Sequence, residues 1–255
     1  MDVESADLLE AAYSSSWMAQ NDNFKLDSED RLERLRTHWV QATACFQRAS
    51  SEISESWWNR IKDLYGQKYR AYHTLVHLEE LFGFLDILDI DSKHMDYNVM
   101  ALAILFHDAI YDVQSGENED DSAKIFQEFC SDVGDSSLAN LQSRVVEFIL
   151  ATKHHKAPKN GDEALAIFLD IDMAVLSKDA SAYAAYAGLI RQEYIHVDRA
   201  MYCEKRVDVL QKFLEEPSIF SSRLLNSVLE ARARANLQDE IDMLKQGIIP
   251  REMNV

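Results

Sequence analysis

Apolar residues recur along most of the chain at intervals of three and four positions, which places them on one face of an α-helix. This pattern predicts a helix that begins near Glu29, where acidic residues occupy the first turn, and a second that begins near Ser54 and ends at Gly66. Further helices are predicted over residues 74–88, 96–111, 122–129, 138–153, 163–176, 180–196, 200–215 and 224–245.

Glycine and proline are scarce, with seven glycines and three prolines in 255 residues. Sheets and long loops use both residues in their turns, so this scarcity favours helices joined by short connections. We therefore predict an all-α protein with about eight to ten helices in one domain. The predicted boundaries are an N-terminal extension (1–28), partly disordered or a short helix, the helical domain (29–222), and a charged C-terminal helix packed on it (223–255).

One predicted helix contains an adjacent imidazole and carboxylate, His107 and Asp108, within an apolar run over residues 100–111. Burying two titratable groups side by side is costly unless each finds a partner. A divalent metal satisfies both, since neutral imidazole and carboxylate are common metal ligands. Neighbouring side chains on a helix diverge by about 100°. A shared ion must therefore lie between the two directions, unless Asp108 bridges two ions.

Two other places in the sequence offer ligands for such an ion. His73 and His77 lie four residues apart, so that on a helix they project from one face, as metal-binding pairs do. Taken alone, they could equally be ordinary surface or core histidines. Asp170 and Asp172 lie two residues apart, which on a helix points them in nearly opposite directions. One of them is then expected to ligate, while the other caps a helix or pairs with an arginine.

The order of these motifs resembles that of the HD superfamily of metal-dependent phosphohydrolases, and in particular an uncharacterised branch of it. The segment Arg70-x-Tyr72-His73-x-x-x-His77 is similar to the opening motif of several HD-fold enzymes, and the His-Asp pair follows it. The similarity spans about residues 39–220 and includes Tyr111-Asp112, the acidic run 117–121, Thr152-Lys153-His154-His155, and segments 168–176, 190–194 and 206–210.

This resemblance implies an HD-type helical domain with a metal site in its helical core. It implies that His77, His107, Asp108 and Asp172 hold a divalent ion, with Asp170 in reserve for Asp172. The expected ion is Mn, Co, Ni, Mg, Zn or Fe. The sequence leaves open whether His73 or His77 is the ligand, and whether one ion binds or two.

The same resemblance implies catalytic roles for His73, Asp108 and Glu119. His73 would protonate the leaving oxygen, a role that suits imidazole because its pKa lies near the working pH. Asp108 would accept a proton from the attacking water, and Glu119 would hydrogen-bond a metal-bound water or a ligand histidine. Arginine makes bidentate contacts with phosphate oxygens, although each arginine could instead pair with a buried carboxylate. The candidate substrate-binding residues are Arg70, Lys153, His155, Arg191 and Arg206.

The formal net charge of −18 argues against a nucleic-acid groove or an anionic membrane surface as a partner, because both require a basic patch. The three cysteines show no disulfide framework, and no apolar stretch approaches the roughly 18 residues of a membrane span. The acidic N-terminus lacks the features of a signal peptide. We expect a soluble cytoplasmic protein, and the adjacent Trp57 and Trp58 suggest a homodimer formed through an aromatic face.

The predicted function is hydrolysis of a phosphate ester or anhydride of a small molecule, a nucleotide being the first candidate, by metal-activated water. One alternative is an HD-type di-iron oxygenase, in which His155 and a bridging Asp108 supply a second iron site. Another is a non-catalytic binding or regulatory module that keeps the metal structurally. Bound iron with an oxygen-dependent reaction would favour the oxygenase. In the non-catalytic module, replacement of His73 would have no consequence.

Overall fold

The computed structural model describes the protein at Ala11, Tyr13, residues 29–88, residues 97–156, Pro158 and residues 161–251. Over these residues it contains ten α-helices, two short 3-10 helices and no strand. The predicted all-α class is thereby confirmed. Apart from Ala11 and Tyr13, the predicted N-terminal extension lies outside the described residues, and the predicted domain boundaries stay predictions.

The chain divides into two compact units, which we call the histidine unit (Lys25–Lys156) and the C-terminal unit (Met1–Phe24 with Ala157–Val255). The histidine unit contains helices α1 (Glu29–Thr43), α2 (Ser51–Tyr65), α3 (Leu75–Ile87), α4 (Tyr97–Phe106), α5 (Asn118–Val133) and α6 (Ala139–Ala151), and a 3-10 turn at Ser136–Leu138. The C-terminal unit contains α7 (Glu163–Asp172), a 3-10 helix (Met173–Ser177), α8 (Ala180–Glu193), α9 (Arg199–Glu215) and α10 (Arg223–Lys245).

Helix α4 lies at the centre of the histidine unit and packs against α1, α3, α5 and α6. Every residue from Val99 to Phe106 is buried, which explains why this helix is apolar on all its faces. An aromatic cluster of Trp39, Trp57, Phe106 and Phe129 surrounds its end, with ring centroids 5.5–6.4 Å apart. The C-terminal end of α4 is therefore held by aromatic packing.

The two adjacent tryptophans are part of this core. Trp57 and Trp58 are only 3% and 4% exposed. The indole nitrogen of Trp57 donates to Asp132 at 3.0 Å, so its polar atom is also satisfied inside the unit. The pair thus offers no exposed aromatic face, and the reason given for a homodimer is removed. The oligomeric state itself stays a prediction.

The helices that carry the histidines are shorter than the sequence pattern predicts. Helix α3 begins at Leu75, because the Thr74 side chain accepts a hydrogen bond from the Val76 amide and caps the helix, so His73 precedes it. Helix α4 ends at Phe106, and His107 and Asp108 lie in the turn that follows. The predicted common helical face for His73 and His77 is therefore wrong, as is the position of the His-Asp pair inside a helix.

In the C-terminal unit, α10 packs against α9 and the 3-10 helix. Leu229, Leu237 and Ile241 lie on its buried face. The buried amide of Asn236 donates to the carbonyls of Leu176 and Lys178, at 2.8 Å each, and ties α10 to the end of the 3-10 helix. No helix in the described parts of the chain is both long and apolar enough to cross a membrane.

Candidate metal centre

Two buried imidazole rings face each other in the core of the histidine unit. His77 lies in the first turn of α3, and His107 follows α4. Their side chains are 2% and 1% exposed, and their Nε2 atoms are 3.2 Å apart. At this distance the two nitrogens cannot both point a proton at each other, so at least one presents a lone pair. His77 and His107 belong to a group of side chains that could hold a metal ion.

The other ring nitrogen of His107 determines which tautomer this residue adopts. Its Nδ1 atom lies 2.9 Å from the carbonyl oxygen of Ile104. Because a carbonyl can only accept, Nδ1 carries the proton, and in the neutral ring the lone pair lies on Nε2. Metal-binding histidines in proteins are oriented in this way by a partner on their second nitrogen. His107 is thus oriented to ligate through Nε2.

The carboxylate of Asp108 approaches the same point. Its Oδ2 atom lies 3.2 Å from the Nε2 atom of His107, 3.8 Å from that of His77 and 4.0 Å from that of His73. The diverging directions expected for neighbours on a helix do not apply, because α4 has already ended. The side chains of His73 and Asp108 keep 18% exposure each, so solvent reaches the group from their side.

The donor set suits a divalent transition metal. Two imidazole nitrogens and one carboxylate oxygen are the ligands that zinc, manganese, cobalt, nickel and iron accept in proteins. Ligand atoms about 2.0–2.1 Å from a tetrahedral ion lie about 3.3 Å from one another. The separations of 3.2–3.8 Å among His77 Nε2, His107 Nε2 and Asp108 Oδ2 are close to that value. The residues present therefore fit a metal ion.

Arg70 connects the two segments that carry these side chains. It is 4% exposed, and its guanidinium donates to the carbonyl oxygens of His73 at 3.1 Å, Asp108 at 2.8 Å and Ala109 at 2.9 Å. A further hydrogen bond reaches Gln67 at 3.3 Å. These bonds occupy the guanidinium with protein acceptors, and the predicted contact of Arg70 with a substrate stays a prediction.

Sequence reasoning assigned no role to Tyr111, which lies against His73. Their rings stack with centroids 4.1 Å apart and an angle of 29° between the planes. A second aromatic contact comes from Tyr72, with its ring centroid 4.9 Å from His73 and 5.0 Å from His77. The His73 ring is therefore held by contacts with two aromatic rings. The available signal was the position of Tyr111, three residues after Asp108 in the motif.

Lys153 is a predicted substrate-binding residue and follows helix α6. Glu119, predicted to hydrogen-bond a metal-bound water or a ligand histidine, lies in helix α5. Lys153 binds Asp120 at 2.6 Å and lies 3.9 Å from Glu117. The hydrogen bond with Asp120 raises the pKa of Lys153 above its usual range. Glu119 and Asp120 occupy the first turn of α5, which begins four residues before the predicted start at residue 122, and the helix dipole there favours acidic side chains. Their predicted roles in the site stay predictions.

His155 follows helix α6 and adopts an unusual backbone conformation. Its φ angle is 45°, in the left-handed region that residues other than glycine rarely adopt. Its neighbour His154 is exposed, whereas His155 is half-buried. The predicted substrate contact of His155 stays a prediction.

In the C-terminal unit, the two candidate aspartates have different environments. Asp170 accepts hydrogen bonds from the backbone amides of Ser221 and Ser222, at 2.7 Å each, and so anchors the start of α10. Burial raises the pKa of Asp170 to about 6, and the hydrogen bonds from Ser222 and Ser221 oppose this rise. Asp172 is half-buried at the junction between α7 and the 3-10 helix. Its predicted role as a ligand stays a prediction.

Arg206 and Arg191 both have partners inside the C-terminal unit. Arg206 donates to the buried carboxylate of Glu240 at 2.9 Å, and the Tyr183 hydroxyl donates to the same carboxylate. Arg191 donates to the carbonyls of Tyr194 at 2.8 Å and Val197 at 3.0 Å. The alternative of a buried carboxylate partner thus applies to Arg206. The predicted phosphate contacts of both arginines stay predictions.

No known protein family, curated protein or solved structure matches this chain significantly. The similarity to the HD superfamily therefore depends on the order and spacing of the sequence motifs alone.

Proposed function

We propose that the protein is a metal-dependent phosphohydrolase of the HD type. His77, His107 and Asp108 would hold a divalent ion, and the substrate would be a phosphate ester or anhydride of a small molecule, a nucleotide being the first candidate. The supporting observation is the convergence of two imidazole nitrogens and a carboxylate oxygen within 3.2–3.8 Å of one another, next to the end of a helix that is apolar and buried from Val99 to Phe106. Burying such groups together requires a compensating partner.

Asp172 is proposed as the fourth ligand on the strength of the motif order. Asp170, held in reserve for it, already accepts backbone hydrogen bonds on both carboxylate oxygens, from Ser221 on one and from Ser222 on the other. Rotating Asp170 towards an ion would leave the start of α10 without these acceptors. The environment of Asp170 therefore supports the choice of Asp172.

A bound divalent ion would lower the pKa of a water ligand and neutralise negative charge on a phosphoryl oxygen. The Asp108 carboxylate would accept the proton of the attacking water. His73, whose Nε2 atom lies 4.0 Å from Asp108 Oδ2 on the solvent-exposed side, would donate a proton to the leaving oxygen. Tyr111 and Tyr72 would keep the imidazole of His73 in the orientation that this transfer needs.

The first experiment is elemental analysis of the purified protein, followed by reloading of the metal-free protein with manganese, cobalt, nickel, magnesium or zinc. Each sample is then assayed for phosphate release from a panel of nucleotides and phosphoesters. We expect about one or two equivalents of metal and metal-dependent release of phosphate. Iron at two equivalents, with consumption of oxygen and no phosphate release, would replace this proposal with the oxygenase. Failure to take up any metal would refute it.

A further inference from the structure

Arg70 holds together two parts of the histidine unit that are distant in sequence. Its guanidinium accepts nothing and donates to His73 O on one segment, and to Asp108 O and Ala109 O on the other, 38 and 39 residues away. The first segment leads into His77 and the second begins at His107. These hydrogen bonds therefore link the two segments that carry the buried imidazoles.

The hydrogen bonds from Arg70 to the second segment satisfy carbonyls that have no partner within helix α4. Carbonyl groups at and beyond the end of a helix lack partners within it, and the helix dipole places partial negative charge there. Arg70 neutralises this charge and satisfies two of the carbonyls just past α4, those of Asp108 and Ala109. Since its acceptors are the backbone of the turn, the guanidinium constrains where the Asp108 carboxylate can lie.

Aromatic rings restrict the guanidinium in turn. Its central carbon lies 5.0 Å from the ring centroid of Tyr65 and 5.5 Å from that of Tyr111, and Tyr111 stacks on His73. A planar guanidinium can stack on rings while its nitrogens donate in fixed directions to three carbonyls. An ammonium group is compact and cannot span the same acceptors. Lysine should therefore not substitute for Arg70.

We propose that Arg70 is a positioning residue of the metal site, which sets the affinity for the ion through the relative placement of His77, His107 and Asp108. This inference rests on the proposed function, because it takes these three side chains to be ligands. Metal–ligand distances in proteins vary by only about 0.2 Å. A turn that is no longer held by Arg70 would give poorer geometry, and hence a weaker site.

The test compares Arg70→Lys and Arg70→Ala with the wild type in the full chain. Metal-free protein is titrated with zinc in competition with a chelator, and the Kd for zinc is measured together with Tm. We expect zinc binding to weaken by about 10–100-fold in both variants, the range seen when outer partners of metal ligands are removed. Should Arg70→Ala fail to fold, Arg70→Lys retains the charge and carries the test.

A matched control separates positioning from general stability. Arg234 in the C-terminal unit also donates to two backbone carbonyls, those of Leu214 at 3.0 Å and Glu216 at 2.8 Å, and pairs with Glu230. Arg234→Lys should lower Tm, like Arg70→Lys, but leave the Kd for zinc within about twofold of the wild type. As a further test, about 10 mM guanidinium should restore the zinc affinity of Arg70→Ala. This concentration is far below the molar concentrations of guanidinium that unfold proteins.

Three results would overturn the proposal. If Arg70→Lys binds zinc as tightly as Arg234→Lys, Arg70 contributes only to stability. If zinc affinity is unchanged while KM for a phosphoester rises, Arg70 binds substrate, as the sequence resemblance implied. If the wild type itself takes up no zinc, manganese, cobalt, nickel or magnesium, the proposed function fails and the inference falls with it. The last result is visible in the wild type alone, so the two failures are distinguishable.

Discussion

The Nδ1 atom of His107 lies 2.9 Å from the carbonyl oxygen of Ile104, the residue three positions earlier in α4. This hydrogen bond turns the His107 ring so that Nε2 faces His77, and it leaves the Nε2 lone pair available to an ion. Two consequences can be measured: loss of the ring should remove the metal, and the fold should survive because the helix is held by apolar packing.

His107→Ala should therefore abolish metal binding and turnover while the helical content stays close to that of the wild type. The variant removes one ligand and leaves a small cavity at the end of α4, whose other residues remain packed on all sides. Elemental analysis and far-ultraviolet circular dichroism on the same sample give both readouts. Full metal content in His107→Ala would disprove the assignment of this ligand.

His73→Gln should keep the metal but slow hydrolysis by about 10²–10⁴-fold, the usual contribution of a general acid. His73 is more exposed than His77, and it is not part of the buried imidazole pair of His77 and His107, so its loss leaves that pair in place. Metal content and kcat are measured side by side. An unchanged kcat at unchanged metal content would show that His73 is not the general acid, and loss of the metal would make His73 a ligand.

The two aspartates of α7 should respond differently to amide substitution. Asp172→Asn should weaken metal binding. Asp170→Asn should leave metal binding unchanged but lower the free energy of unfolding by about 1–3 kcal/mol, because charge-assisted bonds to the Ser221 and Ser222 amides are lost. Metal titration and urea unfolding of both variants distinguish the roles. The reverse pattern would exchange the assignments of Asp170 and Asp172.

His38 should make the protein sensitive to mild acid. It stacks on Phe82 with ring centroids 4.1 Å apart, and its Nδ1 atom lies 3.0 Å from the Tyr97 hydroxyl. Burial lowers the pKa of His38 below its usual 6.5, although Asp86 opposes the shift. The unfolded chain then binds more protons just below pH 6.5 than the folded one, so His38 contributes stability that is lost as pH falls through this range.

Urea unfolding between pH 5 and 7.5 tests whether the free energy of unfolding changes with pH in this direction. The free energy of unfolding should fall less steeply towards acid in His38→Gln than in the wild type. His154→Gln, at an exposed position, is the control and should follow the wild type. A steeper fall in His38→Gln would mean that Asp86 dominates and that protonated His38 stabilises the fold.

The sequence predicted most of the helices but misjudged the ends that form the candidate site. Apolar spacing continues through Ala109 to Tyr111, so nothing local shows that α4 ends at Phe106. In the turn that follows, the carbonyls of Asp108 and Ala109 accept hydrogen bonds from Arg70, which is far away in sequence. The start of helix α3 was predicted to within one residue, since the predicted helix begins at Thr74, a residue type that favours the N-cap.

Side-chain chemistry was easier to predict than side-chain partners. Imidazole and carboxylate in an apolar run indicated a metal site, and the histidine unit brings His77, His107 and Asp108 together. The guanidinium of Arg206, by contrast, was a candidate for substrate binding, with a buried carboxylate as the alternative partner. Its acceptor, Glu240, is 34 residues away, and only the packing of α9 against α10 reveals the pair. Motif order says nothing about such pairings.

The candidate metal centre has a closed floor and an accessible rim. The floor consists of His77 and His107, fixed by packing around α4 and by the carbonyl of Ile104. The rim consists of His73, Asp108 and Tyr111, of which His73 and Asp108 are partly exposed. Variation that retunes substrate preference should therefore accumulate at or beyond Tyr111, where it leaves the floor intact. A library aimed at a new substrate is best randomised there and kept invariant along α4.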